Sequence, residues 1–362
     1  MLDIHGVQRL LGYEDSMIKI DGIQIKGIAC CVPPDIEDNL NVPLFDADKR
    51  LKIVNTTGVR RRRITNKDTC TSDLALHAAK KLISNLEIDV NEIGILIFAT
   101  QTPDYFLPAT SHVLHKELGL STDTITFDMN LGCSAYVYGL YVTSSLLQTA
   151  QKKYALLLAG DTISKYAAPD DASTRFLFGD AGSATILESV SNESSIMFSL
   201  GSDGNGWSNL IIPAGASRTK HSLETQKIVV GTDGNSRSEE HLFMDGMEIF
   251  NFTISTVVPH IQKVLDTCGM PDLVVFHQAN KYMLEFMRKS LGIPKDIFLY
   301  SLSEYGNTSS ASIPLSLCFN KAGIENNAKT LLSGFGVGYS WGTMVLSLKG
   351  TLLLDIFEYE VL

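Results

Sequence analysis

The chain has 362 residues, 44% of them hydrophobic and 19% charged, a composition that excludes a disordered segment and supplies ample material for a core. Its formal net charge of −10 argues against a protein that lives on nucleic acid, because phosphate binding needs a basic surface. The six cysteines (Cys30, Cys31, Cys70, Cys133, Cys268, Cys318) show neither CxxC spacing nor the density of a disulfide scaffold, so reduced thiols in a cytoplasmic setting are expected.

In chain order, residues 1–16 carry Asp3, His5, Arg9, Glu14 and Asp15, lack the apolar core of a signal segment, and read as an N-terminal extension. The one basic cluster, Arg60-Arg61-Arg62-Arg63, reads as a solvated loop face, with an anionic ligand as the alternative. The apolar runs at 95–99 and 155–159 are too short to span a bilayer and read as strands. Residues 109–120 and 133–149 are helix candidates, and this alternation predicts an α/β architecture. No linker divides the chain, but a weak internal repeat does. IGILIFA at 93–99 resembles PDLVVFH at 271–277, and each runs into a polar turn and then a helix. Further on, Gly132-Cys133-Ser134 opens one helix and Gly306-Asn307-Thr308 another, and the same 27 positions separate Cys133 from Gly160 and Asn307 from Gly334. Two copies of one βαβα plan would place Cys133 and Asn307 at matching helix starts.

Three residues could carry chemistry. A thiol at the start of a helix sits over unpaired N–H groups, which lower its pKa and make it a nucleophile; the plain alternative for Cys133 is a buried core cysteine. His277, at the mouth of a strand, can project into a cleft outside the strand ends, or be a satisfied structural histidine. Asn307 can face the same cleft or simply cap a helix. Competing motifs fail more plainly. His112 and His115 lack a third metal ligand at suitable spacing, the glycines between 334 and 342 do not fit GxGxxG, and no GxxxxGK[ST] loop occurs.

Several ordered motifs together resemble the β-ketoacyl-acyl-carrier-protein synthase III family of condensing enzymes. They are TGVRRRRIT (57–65), the cysteine motif at 132–134, FGDAGSATIL (178–187), HQAN (277–280), YGNTSSASIP (305–314) and GFGVGYSWG (334–342). The resemblance implies a thiolase fold: two pseudo-symmetric halves, 17–190 with the cysteine and 191–362 with the histidine and asparagine, packed in five layers as a homodimer. It implies that Cys133 takes an acyl group from a thioester. His277 and Asn307 would then hold the carbonyl of a malonyl thioester while carbon dioxide leaves. The carbanion would attack the acyl-cysteine to give a 3-oxoacyl thioester. Backbone N–H groups of Cys133 and Val337 would form the oxyanion hole.

The resemblance also implies that the substrates are acyl-coenzyme A or acyl-carrier-protein and malonyl-carrier-protein, with no further cofactor and no metal. Where relatives grip coenzyme A with a tryptophan and two arginines, this sequence has Lys52, Thr56 and Ala172, with Arg175 nearby, so a carrier protein as donor stays open. Phe106 and Leu107 fall where an acyl-pocket cap is expected. Arg288 and Lys289 are candidate docking residues for an acidic carrier protein. An enzyme of the 3-hydroxy-3-methylglutaryl-coenzyme A synthase type would need a glutamate where Gln101 stands, because an amide cannot shuttle a proton. Transfer to an oxygen or nitrogen acceptor without decarboxylation, and a non-catalytic partner subunit, are the remaining alternatives.

Overall fold

The computed structural model describes residues 17–191, 194–324 and 329–360; the extension at 1–16 lies outside them. The layers follow from alternation along the buried strands. In β5 (Ile93–Ala99), Ile95, Ile97 and Ala99 face one apolar cluster while Leu96 and Phe98 face another. In β14 (Leu273–Phe276), Leu273 and Val275 join that first cluster, and Val274 and Phe276 face a third. One shared core therefore lies between two sheets, and each sheet has a further core on its outer face.

The first sheet runs β2 (Ile23–Val32), β8 (Ala181–Ser189), β7 (Tyr154–Asp161), β5, β6 (Ile125–Met129). The second runs β1 (Ile18–Asp21), β9 (Ser195–Ser202), β16 (Ser340–Leu346), β15 (Thr330–Gly336), β14. The pairings β2–β8, β8–β7 and β7–β5 are antiparallel, antiparallel and parallel. Those of β9–β16, β16–β15 and β15–β14 repeat that order. This is the repeat expected from the sequence, and the thiolase fold. Short ladders join β3 (Ile36–Asp38) to β4 (Arg61–Arg63), β10 (Leu210–Ile211) to β13 (Phe243–Met244), and β11 (Val229–Val230) to β12 (Ser236–Arg237).

Eight of the nine α-helices named here follow as α1 (Ala47–Thr57), α2 (Thr71–Asn85), α3 (Thr110–Glu117), α4 (Ala135–Leu147), α5 (Gly246–Phe252), α6 (Val258–Cys268), α7 (Lys281–Ser290) and α8 (Leu302–Tyr305). The last is α9 (Ser312–Phe319). Helices α4 and α9 bury almost every side of themselves, as a helix must when it lies between two sheets. Helices α2 and α3 cover the outer face of the first sheet, α6 and α7 that of the second, which completes five layers. Among the described residues no helix is long and apolar enough to cross a membrane.

Two expectations need correction. The halves do not divide at 17–190 and 191–362, because β1 pairs with β9 in the second sheet, while β17 (Leu352–Leu353) and β18 (Phe357–Glu358) pair with β2 in the first. Gly22, at φ 74, turns the chain from one sheet into the other between β1 and β2, so the ends are exchanged. Nor is the arginine cluster a solvated loop. It enters β4, whose alternation turns Arg62 inward to 1% exposure. Each arginine meets an acid: Arg60 with Asp38, Arg61 with Glu304, Arg62 with Glu37 and Arg63 with Glu358. Arg175 also binds Glu37 and is likewise committed.

Candidate active site

Cys133, His277 and Asn307 come from three different segments and line one narrow, mostly apolar cavity. Leu177, Phe178, Met244, Ile249, Met283 and Phe335 form much of its wall. All three polar residues are nearly buried, at 6%, 2% and 4% exposure.

Cys133 follows β6 and precedes α4, in a turn closed by the Ala135 N–H on the Gly132 carbonyl at 2.8 Å. The glycine-rich hairpin joining β15 to β16 closes over it. A Cβ on Gly336 would lie 2.8 Å from the Cys133 Cβ and 3.1 Å from its Sγ, and one on Gly334 would lie 2.8 Å from its carbonyl oxygen. Glycine there allows backbone to approach the thiol. A Cβ on Gly132 would press on the end of the Gln101 side chain and lie 3.0 Å from the Val337 Cγ1.

The thiol is not acidified as its place before a helix suggests. Burial pushes it up, with the Asp161 carboxylate adding to the effect, to about 12. The Ser309 hydroxyl and the backbone N–H groups of Cys133 and Val337 hydrogen-bond the sulfur and oppose that shift. Desolvation wins because α4 begins only at Ala135 and its free N–H groups act over about one turn.

His277 follows β14, with its N–H on the Ser333 carbonyl at 2.8 Å. Its Nδ1 lies 2.7 Å from the Ser312 Oγ, at the start of α9, and its ring stands edge-on to Phe335 at 5.8 Å. Burial pushes the imidazole down to about 3, and a hydrogen bond to the Ser309 backbone offsets only part of this, so the ring is neutral at physiological pH.

Asn307 is clamped through its backbone, donating to the Leu177 carbonyl at 2.9 Å and accepting from the Gly179 N–H at 3.0 Å. Its side-chain Oδ1 accepts from the Ser309 N–H at 2.9 Å, which leaves the amide NH₂ as the donor end. Ser309 adopts φ 49, a left-handed conformation uncommon for a residue with a side chain. The neighbouring Ser310 Oγ donates to Asp161 at 2.9 Å.

The structure thus brings Cys133, His277 and Asn307 to one cavity and the Val337 N–H to the sulfur. The sequence did not single out Ser309, Ser312 or Asp161. The two serines lay inside the 305–314 motif already quoted, and Asp161 directly follows the LLLAG run. Leu210 and Met244 sit in two-residue strands with no pattern to reveal them. Phe106 and Leu107 are absent from the cavity wall of this chain and are 86% and 83% exposed. Arg288 donates to the Ile293 carbonyl at 2.8 Å and to Glu285 at 2.9 Å and is only partly exposed, whereas Lys289 is exposed.

Comparison with known proteins agrees with this geometry. Residues 127–204 match the family model described as 3-oxoacyl-[acyl-carrier-protein] synthase III, and residues 270–348 match its C-terminal counterpart. The putative 3-oxoacyl-[acyl-carrier-protein] synthase 3 of Campylobacter jejuni is 36% identical over 352 residues, covering 94% of this chain and 98% of its own. The β-ketoacyl-[acyl-carrier-protein] synthase III of Clostridium acetobutylicum is 32% identical, covering 90% and 99%. The crystal structure of 3-oxoacyl-(acyl-carrier protein) synthase from Burkholderia xenovorans superposes with a TM-score of 0.88 at 39% identity, over 94% and 98% of the two chains. With its two matched sheets, its cysteine, histidine and asparagine around one cavity, and this coverage, the chain belongs to the 3-oxoacyl-[acyl-carrier-protein] synthase III family.

Proposed function

We propose that this protein is a condensing acyltransferase that loads an acyl group on Cys133 and extends it with a malonyl thioester. The observation that carries this reading is the meeting of Cys133, His277 and Asn307 at one apolar cavity, with the Val337 N–H on the sulfur. In the first step the sulfur attacks the donor carbonyl, whose oxygen takes up charge between the N–H groups of Cys133 and Val337. The donor C–S bond breaks, and the departing thiolate takes the proton that Cys133 gives up. In the second step the malonyl carbonyl accepts hydrogen bonds from Asn307 and from neutral His277. When the Ser312 hydroxyl donates to Nδ1, the other ring nitrogen carries the hydrogen and can donate. Carbon dioxide leaves, the carbanion forms a C–C bond to the acyl carbon, and the released Cys133 thiolate is reprotonated. Uncharged donors suit the step, since they stabilise an enolate without protonating it outright.

No metal or organic cofactor enters this scheme; acyl-coenzyme A or acyl-carrier-protein and malonyl-carrier-protein are its substrates. An acyl carrier protein is the protein partner, and Lys289 is an exposed cation on α7, which borders the cavity through Met283. The active form is a homodimer. Strand β6 ends its sheet with Ile125 54% exposed. Beside it lies the exposed loop with Phe106 and Leu107, followed by α3, whose first N–H groups, of Thr110 and Ser111, donate to Asp128 at 2.7 Å each. A second copy would cover this face and receive Phe106 and Leu107 toward its own acyl pocket. Six unpaired cysteines suit a cytoplasmic enzyme.

Intact-protein mass spectrometry with a panel of acyl-coenzyme A and acyl-carrier-protein thioesters tests the scheme. An acyl mass gain is expected on Cys133 and none in Cys133→Ser; an undiminished gain in that variant would remove the assignment.

A further inference from the structure

The TGVRRRRIT motif ends as an internal structure that the chemistry above does not use, and one of its arginines is buried against the site. The Arg62 guanidinium donates from Nε to the Asn39 Oδ1 at 2.9 Å, from Nη1 to the Phe178 carbonyl at 2.9 Å, and from Nη2 to the Glu37 carboxylate. Asn39 in turn donates to the carbonyls of Val59 at 3.0 Å and Phe176 at 2.8 Å. Glu37 also accepts from Arg175 at 2.6 Å. The carbonyls of Phe176 and Phe178 are thus both held by one polar cluster.

On its other side the same segment carries Asn307. Its Leu177 carbonyl and Gly179 N–H are the two backbone partners of Asn307, at 2.9 and 3.0 Å. Arg62 also packs directly under the preceding peptide. A Cβ on Gly306, at φ 67, would lie 2.9 Å from the Arg62 Cγ and 2.7 Å from the Leu177 carbonyl oxygen. Burying a charged guanidinium costs several kcal/mol unless it is fully paired, and apolar residues of the same volume would pack at least as well. What the arginine adds is direction: a forked donor fixes two acceptors at a set angle.

We propose that Arg62 is a positioning residue for Asn307, holding the 176–178 segment and the Gly306 peptide so that the Asn307 amide points at the malonyl carbonyl. The proposal rests on the reading of Asn307 as a donor in decarboxylation. The Cys133 and Val337 N–H groups are not among these contacts, which reach the Cys133 sulfur only through Ser309, so loading should suffer less than decarboxylation.

The test measures both half-reactions in the full-length protein. Loading is followed by acyl mass gain on Cys133, and decarboxylation by release of labelled carbon dioxide from malonyl-carrier-protein. Arg62→Gln should load acyl groups within about threefold of the parent yet release carbon dioxide at least ~10-fold more slowly, as expected for an amide displaced by a fraction of an ångström. The double variant Arg62→Gln/Asn307→Ala should be no slower than Asn307→Ala alone, because residues acting through one group are not additive. Glu37→Gln, changing a side chain that is 29% exposed, supplies a milder second arm if Arg62→Gln does not fold. It should show the same selective loss at about threefold or more. Equal loss in both half-reactions, no loss in either, or multiplying losses in the double variant would overturn the proposal. Parental decarboxylation by Asn307→Ala would overturn the donor reading beneath it, and that arm involves no change at Arg62.

Discussion

Gly336→Ala tests the site most directly. The added methyl would lie 2.8 Å from the Cys133 Cβ and 3.1 Å from Sγ, where unstrained carbon contacts settle near ~3.5–4.0 Å. About 0.7 Å or more of clearance must therefore be found. The Cys133 Cβ is fixed by the turn before α4, and Gly336 is fixed by its pairing with Ser340 in the β15–β16 ladder. The easiest relief is rotation of the sulfur away from the Cys133 and Val337 N–H groups. Overpacking of this kind costs about 1–3 kcal/mol, which a chain of this size can survive. A nucleophile misplaced by about an ångström loses roughly 10²-fold in rate. Gly336→Ala should consequently fold, melt a few degrees lower, and load acyl groups about 100-fold more slowly in a time-resolved intact-mass assay. Loading within about threefold of the parent, with the fold intact, would refute the claim that this glycine exists to admit the thiol.

The pH behaviour follows from burial. With the Cys133 thiol pushed up to about 12, its thiolate fraction grows tenfold per pH unit, so alkylation by iodoacetamide should climb from pH 7 to 9 without a plateau. A plateau below pH 8 would show an acidified thiol instead. Because the folded pKa of His277 is lowered to about 3, the imidazole stays neutral above roughly pH 4, and decarboxylation should be flat between pH 6 and 8. An inflection near the ordinary histidine value would contradict a buried neutral ring. For the assembly, Leu107→Asp places a charge on the 83% exposed loop, and light scattering should then show a shift from dimer toward monomer. A parent protein that is already monomeric would remove the dimer reading.

What the residues alone determined was the α/β alternation and the repeat; the layering and the choice of the polar trio came from the ordered motifs and the family they resemble. The continuous apolar runs at 93–99 and 273–276 mark strands buried on both faces, and such strands need covering layers on each side. The matched spacing after Cys133 and Asn307 was legible because two copies of one plan keep their internal distances. Tertiary structure decided the rest. The fate of Arg62 turns on an acid at Glu37 and a carbonyl at Phe178, both distant in sequence, so a run of four arginines resembles a solvated face until its partners arrive. The exchange of terminal strands depends on a single turn at Gly22. The state of the thiol was misjudged from sequence for a related reason. Helix position is local and visible in the chain, whereas desolvation is set by segments that converge only on folding, such as Gly334 and Gly336 closing over Cys133, and at Cys133 desolvation is the larger effect.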